Sequence, residues 1–179
     1  MYNVNMSKKP AKKKLPSIPK INRKLFKLWS EKIKERAGGV CEYCGIKVGE
    51  IGPNGKAINK LDSHHIISRM KKNSFLKWDL NNGIHVCPKC HKFGEDSWHR
   101  SPVTTIYWFI KNHPDRMEYL MANFNTKVDL QNRDILAAIE QSLINNQPID
   151  INNLVILSTT TTTTTESNLL MAFQEIAQP

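Results

Sequence analysis

Apolar residues recur at helical spacing in several stretches of this chain and crowd together, strand-like, in two others. Leu25, Trp29 and Ile33 fall at i, i+4 and i+8, with Phe26 and Leu28 widening the stripe. This predicts an amphipathic helix from Asn22 to about Ala37, stopped by Gly38 and Gly39. Its polar face is basic and could lie along a phosphate backbone, although packing alone accounts for the apolar face. Ser101 followed by Pro102 reads as an N-cap with proline at the first helical position, and Ile106, Phe109 and Ile110 supply the apolar face. A second start near Pro114 continues that face through Met117, Leu120, Met121 and Phe124. A third helix runs from about Asn132 to Ile144 with Ile135, Leu136, Ile139 and Leu143 inward. The short runs His65-Ile66-Ile67 and Ile84-His85-Val86 read as strands. Between them a basic loop carries Arg69, Lys71, Lys72 and Lys77 with Phe75 and Trp78, aromatics that either meet sugars and phosphates or fill a small core.

The ends lack this patterning. Residues 1–21 mix Lys8, Lys9, Lys12, Lys13, Lys14 and Lys20 with Pro10, Pro16 and Pro19 and read as a flexible basic arm. Residues 146–179 are Asn-rich, then hold an unbroken threonine run from Thr159 to Thr165, read as a linker. Leu169, Leu170, Phe173 and Ile176 then outline a short helix that would dock on the domain or support a protein partner or self-association, since alone it is marginal in water. One domain over residues 22–145 is expected, and 179 residues suffice for one compact core with arms.

Charge sharpens the picture. The chain has 26 basic and 16 acidic residues, and residues 1–36 alone hold 12 Lys or Arg against Glu31 and Glu35. A polyanionic partner fits this asymmetry, because each neutralised phosphate releases condensed counterions; a solvated, solubilising tail is the plainer account. No run of about 18 apolar residues suggests a membrane span. No apolar stretch behind the N-terminal lysines suggests a secretory signal, so a cytoplasmic setting in a bacterial or phage-infected cell is expected.

In a reducing compartment, cysteines in pairs point to metal rather than disulfides. Cys41 and Cys44, then Cys87 and Cys90, form two Cys-x-x-Cys pairs separated by 42 residues. Each pair offers two thiolates from one turn, and together they close a tetrahedral structural zinc site that pins the first helix to the second strand. A thioredoxin-like redox pair would not need a second Cys-x-x-Cys. Cys87-Pro88-Lys89-Cys90-His91 matches the c-type haem attachment pattern, but that chemistry ordinarily follows export. Zinc is preferred over these readings.

Five of the six histidines lie between residues 64 and 99. Adjacent residues of a strand face opposite sides, so His64 and His65 should differ in role, while His85 and His113 are read as packing or surface residues. The series Asp62-Ser63-His64-His65-Ile66, followed by Asn82-Gly83-Ile84-His85-Val86-Cys87-Pro88-Lys89-Cys90-His91, resembles the HNH endonuclease family and its ββα-metal motif, best in the zinc-knuckle variety.

That resemblance implies an α+β fold: a small ββα-metal core with a four-cysteine zinc site, flanked by an N-terminal helix and several C-terminal helices. It implies His65 as the general base that deprotonates the attacking water, a role suited to an imidazole titrating near neutrality. Asn82 would tie the inter-strand loop and hold the base in orientation. His64 and His91, with His99 as third ligand, would hold a catalytic Mg2+ or Mn2+. His99 lies eight residues beyond His91, so one uninterrupted helix would not present both. The implied activity is DNA phosphodiester hydrolysis, of the kind found in phage, mobile-element or restriction settings. Arg69, Lys71, Lys72, Arg100 and the arm residues Lys12, Lys13 and Lys14 are candidate nucleic-acid contacts. A non-catalytic zinc module that binds nucleic acid is the alternative.

Overall fold

A computed structural model describes residues 15–155. Helix α1 spans Ile18–Ala37, one turn earlier than periodicity predicts, because Pro19 sits in the first turn, where its missing N–H costs nothing. Residues 18–21 are therefore helix rather than arm. The helix ends at Gly38, whose φ of 59° is the left-handed conformation that side chains resist and that lets its N–H bond the Glu35 carbonyl. Leu25, Trp29 and Ile33 are fully buried, as the stripe demands.

Two strands, β1 (Asp62–His65) and β2 (Gly83–Val86), pair antiparallel with Asp62 opposite Val86, His64 opposite Ile84 and His65 opposite Gly83. β1 thus precedes the predicted run His65-Ile66-Ile67. The ladder stops there because the Asn82 side chain takes over the backbone of Ile67, accepting from its N–H at 2.6 Å and donating to its carbonyl at 2.9 Å. Helix α1 lies directly on β2 at Gly83, where a β-carbon would sit 2.3 Å from Ile33 and 2.8 Å from the Trp29 indole. The connection between the strands folds into two short 3-10 turns, Phe75–Trp78 and Leu80–Asn82. Phe75 and Trp78 are buried, so they fill the core.

After β2 the chain makes a π-helical turn, Lys89–Phe93, where the resemblance implies the motif's helix. Three helices follow: α2 (Pro102–Asn112), α3 (Pro114–Ala122) and α4 (Arg133–Ile144). In α4 all four predicted core residues are buried, and Asn132 caps the N-terminus by accepting from the N–H groups of Asp134 and Ile135. In α2 and α3 the inward stripe is narrower than predicted. These helices are short and meet at a bend before Pro114, so Phe109 and Leu120 are buried while Ile110, Met121 and Phe124 are exposed. The Ser101 hydroxyl makes no capping bond to the helix backbone and donates to Thr104 Oγ1 instead.

The core is one cluster that joins α1, β2, the inter-strand turns and the C-terminal helices. Ile149 and Leu154 extend it, with residues 151–155 helical, so this part of the expected linker docks on the domain. A partly exposed polar network fixes α1 and α3 against the first Cys pair and β2. Arg36 donates to the Gly83 carbonyl at 2.6 Å and pairs with Glu42 at 3.1 Å, Glu42 accepts from the His85 N–H at 2.6 Å, and Arg116 donates to the Asn81 carbonyl at 2.9 Å. Among the described residues no helix is long and apolar enough to cross a membrane. Lys12, Lys13, Lys14, the threonine run and the helix expected over 166–178 lie outside the described residues.

Candidate metal centres and active site

The four cysteines converge. Cys41 and Cys44 sit in a tight turn just after α1, held by the Cys41 N–H to the Ile46 carbonyl at 2.9 Å and the Gly45 N–H to the Cys41 carbonyl at 2.8 Å. Cys87 leaves the end of β2, and Cys90 lies in the π-helical turn. Their sulfurs all lie within 4.8 Å of one another, none is in a disulfide, and Cys44 Sγ is 3.9 Å from Cys87 Sγ. A tetrahedral zinc–thiolate site has sulfurs about 3.8 Å apart, so both donor set and spacing fit zinc. The crowding shows in the thiols: the neighbouring Cys90 holds Cys41 down to about 4, while Cys41 and burial push Cys90 up. A cation at the centre would replace the thiol protons.

A second group is made of imidazoles. His64 projects from β1, His91 from the π-helical turn, and His99 from the turn beyond it; their ligand atoms also lie within 4.8 Å of one another. The reach to His99 is explained by the backbone. Gly94 ends the turn in extended conformation (ψ 155°), the chain doubles back, and the N–H groups of Trp98 and His99 bond the carbonyls of Cys90 (2.9 Å) and His91 (3.2 Å). The two residues thus become neighbours despite their separation in sequence.

His99 Nε2 lies 3.2 Å from His91 Nε2. Two lone pairs facing at that distance repel unless a proton or cation lies between them, and two imidazole ligands of one metal stand about 3.0–3.4 Å apart. His91 Nδ1 faces Asp62 Oδ2 at 3.1 Å; a carboxylate accepts, so Nδ1 carries the hydrogen and Nε2 is left as a donor to a cation. Burial first, then the neighbouring His91 and His99, hold His64 down to about 3, and burial also lowers His91 despite Asp62. Both stay neutral, as metal ligands must.

His65 occupies the other face of β1. Its ring stacks on Trp29, centroids 4.0 Å apart and 11° from parallel, with Phe26 at 6.1 Å. Its Nε2 is 2.9 Å from the Lys77 carbonyl. That oxygen only accepts, so Nε2 carries the hydrogen of the neutral ring and Nδ1 keeps its lone pair. Burial holds the imidazole below its ordinary value, against the opposing pull of the Lys77 carbonyl. Because β1 ends at His65, one open cavity of about 500 Å³ wraps the strand end and is lined by His65 together with His64, His91 and His99, and by Phe26 and Arg69. Asn82, fully buried, spans the loop from within, bonding Ile67 on one side and the Leu76 carbonyl at 2.9 Å on the other.

The remaining candidates divide. Arg69 lines the cavity with its guanidinium over the Phe26 ring. Lys71 instead places its ammonium 3.4 Å from the Phe124 ring centroid, Lys72 is exposed, and Arg100 lies on the cysteine side, bonding the Phe93 carbonyl at 3.3 Å. His85 packs with Nδ1 3.2 Å from Ser63 Oγ, and His113 packs on Trp108 and Phe109. Asp62, Trp29, the Lys77 carbonyl and the cavity residue Lys92 were not anticipated. For Asp62 a signal existed: it stands two residues before His64 on the same strand, hence on the same face. For Trp29 no local signal exists, because its partner lies 36 residues away.

No curated protein and no solved structure matches the chain. Residues 41–94 match the family model described as HNH endonuclease, a span that begins at the first Cys pair and ends just beyond His91. The two Cys pairs that frame the strand pair within this span fit the zinc-knuckle variety of that family.

Proposed function

We propose that this chain is a metal-dependent endonuclease that hydrolyses phosphodiester bonds of DNA, with His65 as general base. The observation that carries this reading is the shared cavity, in which a neutral imidazole with a free Nδ1 lies beside three imidazoles whose nitrogens converge. A purely structural four-thiolate module has no use for that second cluster.

The geometry supports the following roles. His65 Nδ1 takes a proton from the attacking water, and the Lys77 carbonyl and the Trp29 indole keep the ring from turning away. Asn82 holds the loop that carries this carbonyl in register with β1, through its bonds to Ile67 and Leu76. His64, His91 and His99 would hold the divalent ion, with Asp62 setting the His91 tautomer; three imidazoles suit Mn2+, Ni2+ or Zn2+ better than Mg2+, and the ion would supply charge stabilisation for the phosphate and the departing oxygen. Attack in line breaks the bond between phosphorus and the 3′ oxygen, which takes a proton from solvent, and leaves a 5′ phosphate and a 3′ hydroxyl. Arg69, at the cavity rim, is placed to contact a phosphate oxygen. The four cysteines act as a structural zinc clamp at the base of the hairpin.

The test is cleavage of supercoiled plasmid with added Mg2+ or Mn2+, comparing the wild type with His65→Ala. Metal-dependent nicking that His65→Ala abolishes, with gel retardation retained, supports the assignment. Equal retardation with no cleavage by either protein makes the chain a zinc-knuckle binding module instead.

A further inference from the structure

We propose that the solvent face of α1 is a docking surface for the phosphate backbone of duplex DNA, running past the mouth of the three-histidine cavity; this rests on the nuclease reading. Lys20, Arg23, Lys27 and Lys34 are separated by three, four and seven residues, spacings that put them on one side of an α-helix, and all four are exposed. At 1.5 Å per residue the stripe is about 21 Å long, the length of about six phosphates along one strand.

The charges on this face differ from those on the flanks. Lys24 pairs with Glu140 of α4, and Lys32 with Glu35 at 3.1 Å. Lys20, Arg23 and Lys34 have no carboxylate within 4.0 Å among the described residues, and Lys27 has only the exposed Glu31 at 3.9 Å. Lys24 and Lys32 are thus ion-paired within the chain, whereas the cations of the stripe are left for a polyanion. Their position ties them to the chemistry. Phe26, the residue before Lys27, lines the cavity, and Ser30, between Lys27 and Lys34, holds Ser63 Oγ at 3.0 Å on β1 beside His64. A backbone lying along the stripe therefore passes the strand end that carries His64 and His65. A straight, rigid row of charges matches the regular phosphate spacing of a duplex better than a flexible single strand.

The experiment uses the full chain with its zinc and measures affinity for a short defined duplex by fluorescence anisotropy across a salt series. Three proteins are compared: wild type, the variant Lys20→Gln/Arg23→Gln/Lys27→Gln/Lys34→Gln, and a control with exposed lysines elsewhere replaced, Lys47→Gln/Lys56→Gln/Lys111→Gln/Lys127→Gln. The slope of log affinity against log salt should shrink by about 3.6 in the α1 variant and change little in the control, since each of the four lost phosphate contacts removes about 0.9. The pair Arg23→Gln/Lys27→Gln should show about half that change if the fourfold variant folds poorly. An unchanged slope, an equal loss in the control, or an α1 dependence seen only with single-stranded DNA overturns the proposal. Plasmid nicking that depends on metal and His65 judges the nuclease reading separately: cleavage with an unaltered slope sinks the docking surface alone, and a wild type that neither binds nor cuts duplex DNA sinks both.

Discussion

Trp29 and His65 lie face to face, 4.0 Å between ring centroids, and the indole is itself anchored by its Nε1–H to the Asp79 carbonyl at 2.9 Å. The imidazole therefore has one side packed on a rigid platform, one nitrogen on the Lys77 carbonyl, and its remaining nitrogen free. Trp29→Phe keeps an aromatic ring but loses the anchor and part of the overlap. Cleavage should fall by about tenfold to a hundredfold through kcat, as expected for a displaced general base, while duplex affinity is retained. A steady-state comparison with wild type checks this; an unaltered kcat would show that the stack has only a packing role.

Asp62→Asn removes the charge behind His91 without changing shape. Because Asp62 Oδ2 sets the His91 tautomer, affinity for a divalent ion at the three-histidine site should drop about 10- to 100-fold. Titration calorimetry with Mn2+ or Ni2+ on zinc-loaded protein measures it. The four-thiolate zinc should stay bound, and equal ion affinities in the two proteins would contradict the assignment of His91 as a ligand.

Zinc removal should unfold the base of the hairpin. Four sulfurs crowded within 4.8 Å are held together by a cation or by shared protons, and structural zinc contributes on the order of 10 kcal/mol to folding. Chelator treatment, or Cys41→Ser, should lower the melting temperature sharply, read by circular dichroism. It should also disorder the three-histidine cluster, because Cys90 and His91 share one turn. A chelated protein that melts like the loaded one would remove the structural role.

The pH dependence has a definite sign. In the fold His64 is held down to about 3, chiefly by burial, while the unfolded imidazole titrates near 6.5. Between those values the unfolded chain binds a proton that the folded one refuses, so the stability linked to His64 is complete above about 6.5 and declines as pH falls towards 3. Denaturant midpoints of wild type and His64→Gln, each with zinc on the four cysteines and no other divalent ion added, should therefore diverge progressively below about pH 6.5, wild type losing more. Parallel curves through that window would mean His64 is not buried as neutral imidazole.

Gly83→Ala tests the seat of α1 on the sheet. The added carbon would meet Ile33 at 2.3 Å and the rigid Trp29 ring at 2.8 Å, an overpacking that typically costs about 1–3 kcal/mol. Because Gly83 lies opposite His65, activity should fall along with stability. A variant with wild-type urea midpoint and rate would show that α1 can ride outward freely.

Much of this was legible along the chain. Leu25, Trp29 and Ile33 announced α1, the cysteine pairs announced their own convergence, and Asn82 and the paired histidines stood in a recognisable order, since helical period and ligand spacing are local properties. The exposed Ile110, Met121 and Phe124 were misplaced because periodicity ranks apolar residues without knowing how wide a stripe two short, bent helices can bury.

By itself, then, the sequence determined which residue types are available and at what spacing: four thiolates, a cluster of imidazoles, a basic end and an apolar stripe for each helix. Tertiary structure alone decided which of them meet. It brought His99 back onto His91 through the reversal at Gly94, placed Asp62 behind His91, and laid the Trp29 ring on His65 across 36 residues. Such contacts depend on the closure of loops and the packing of helix on sheet. Their cost and reward are set by the whole fold, and no short window of residues contains them.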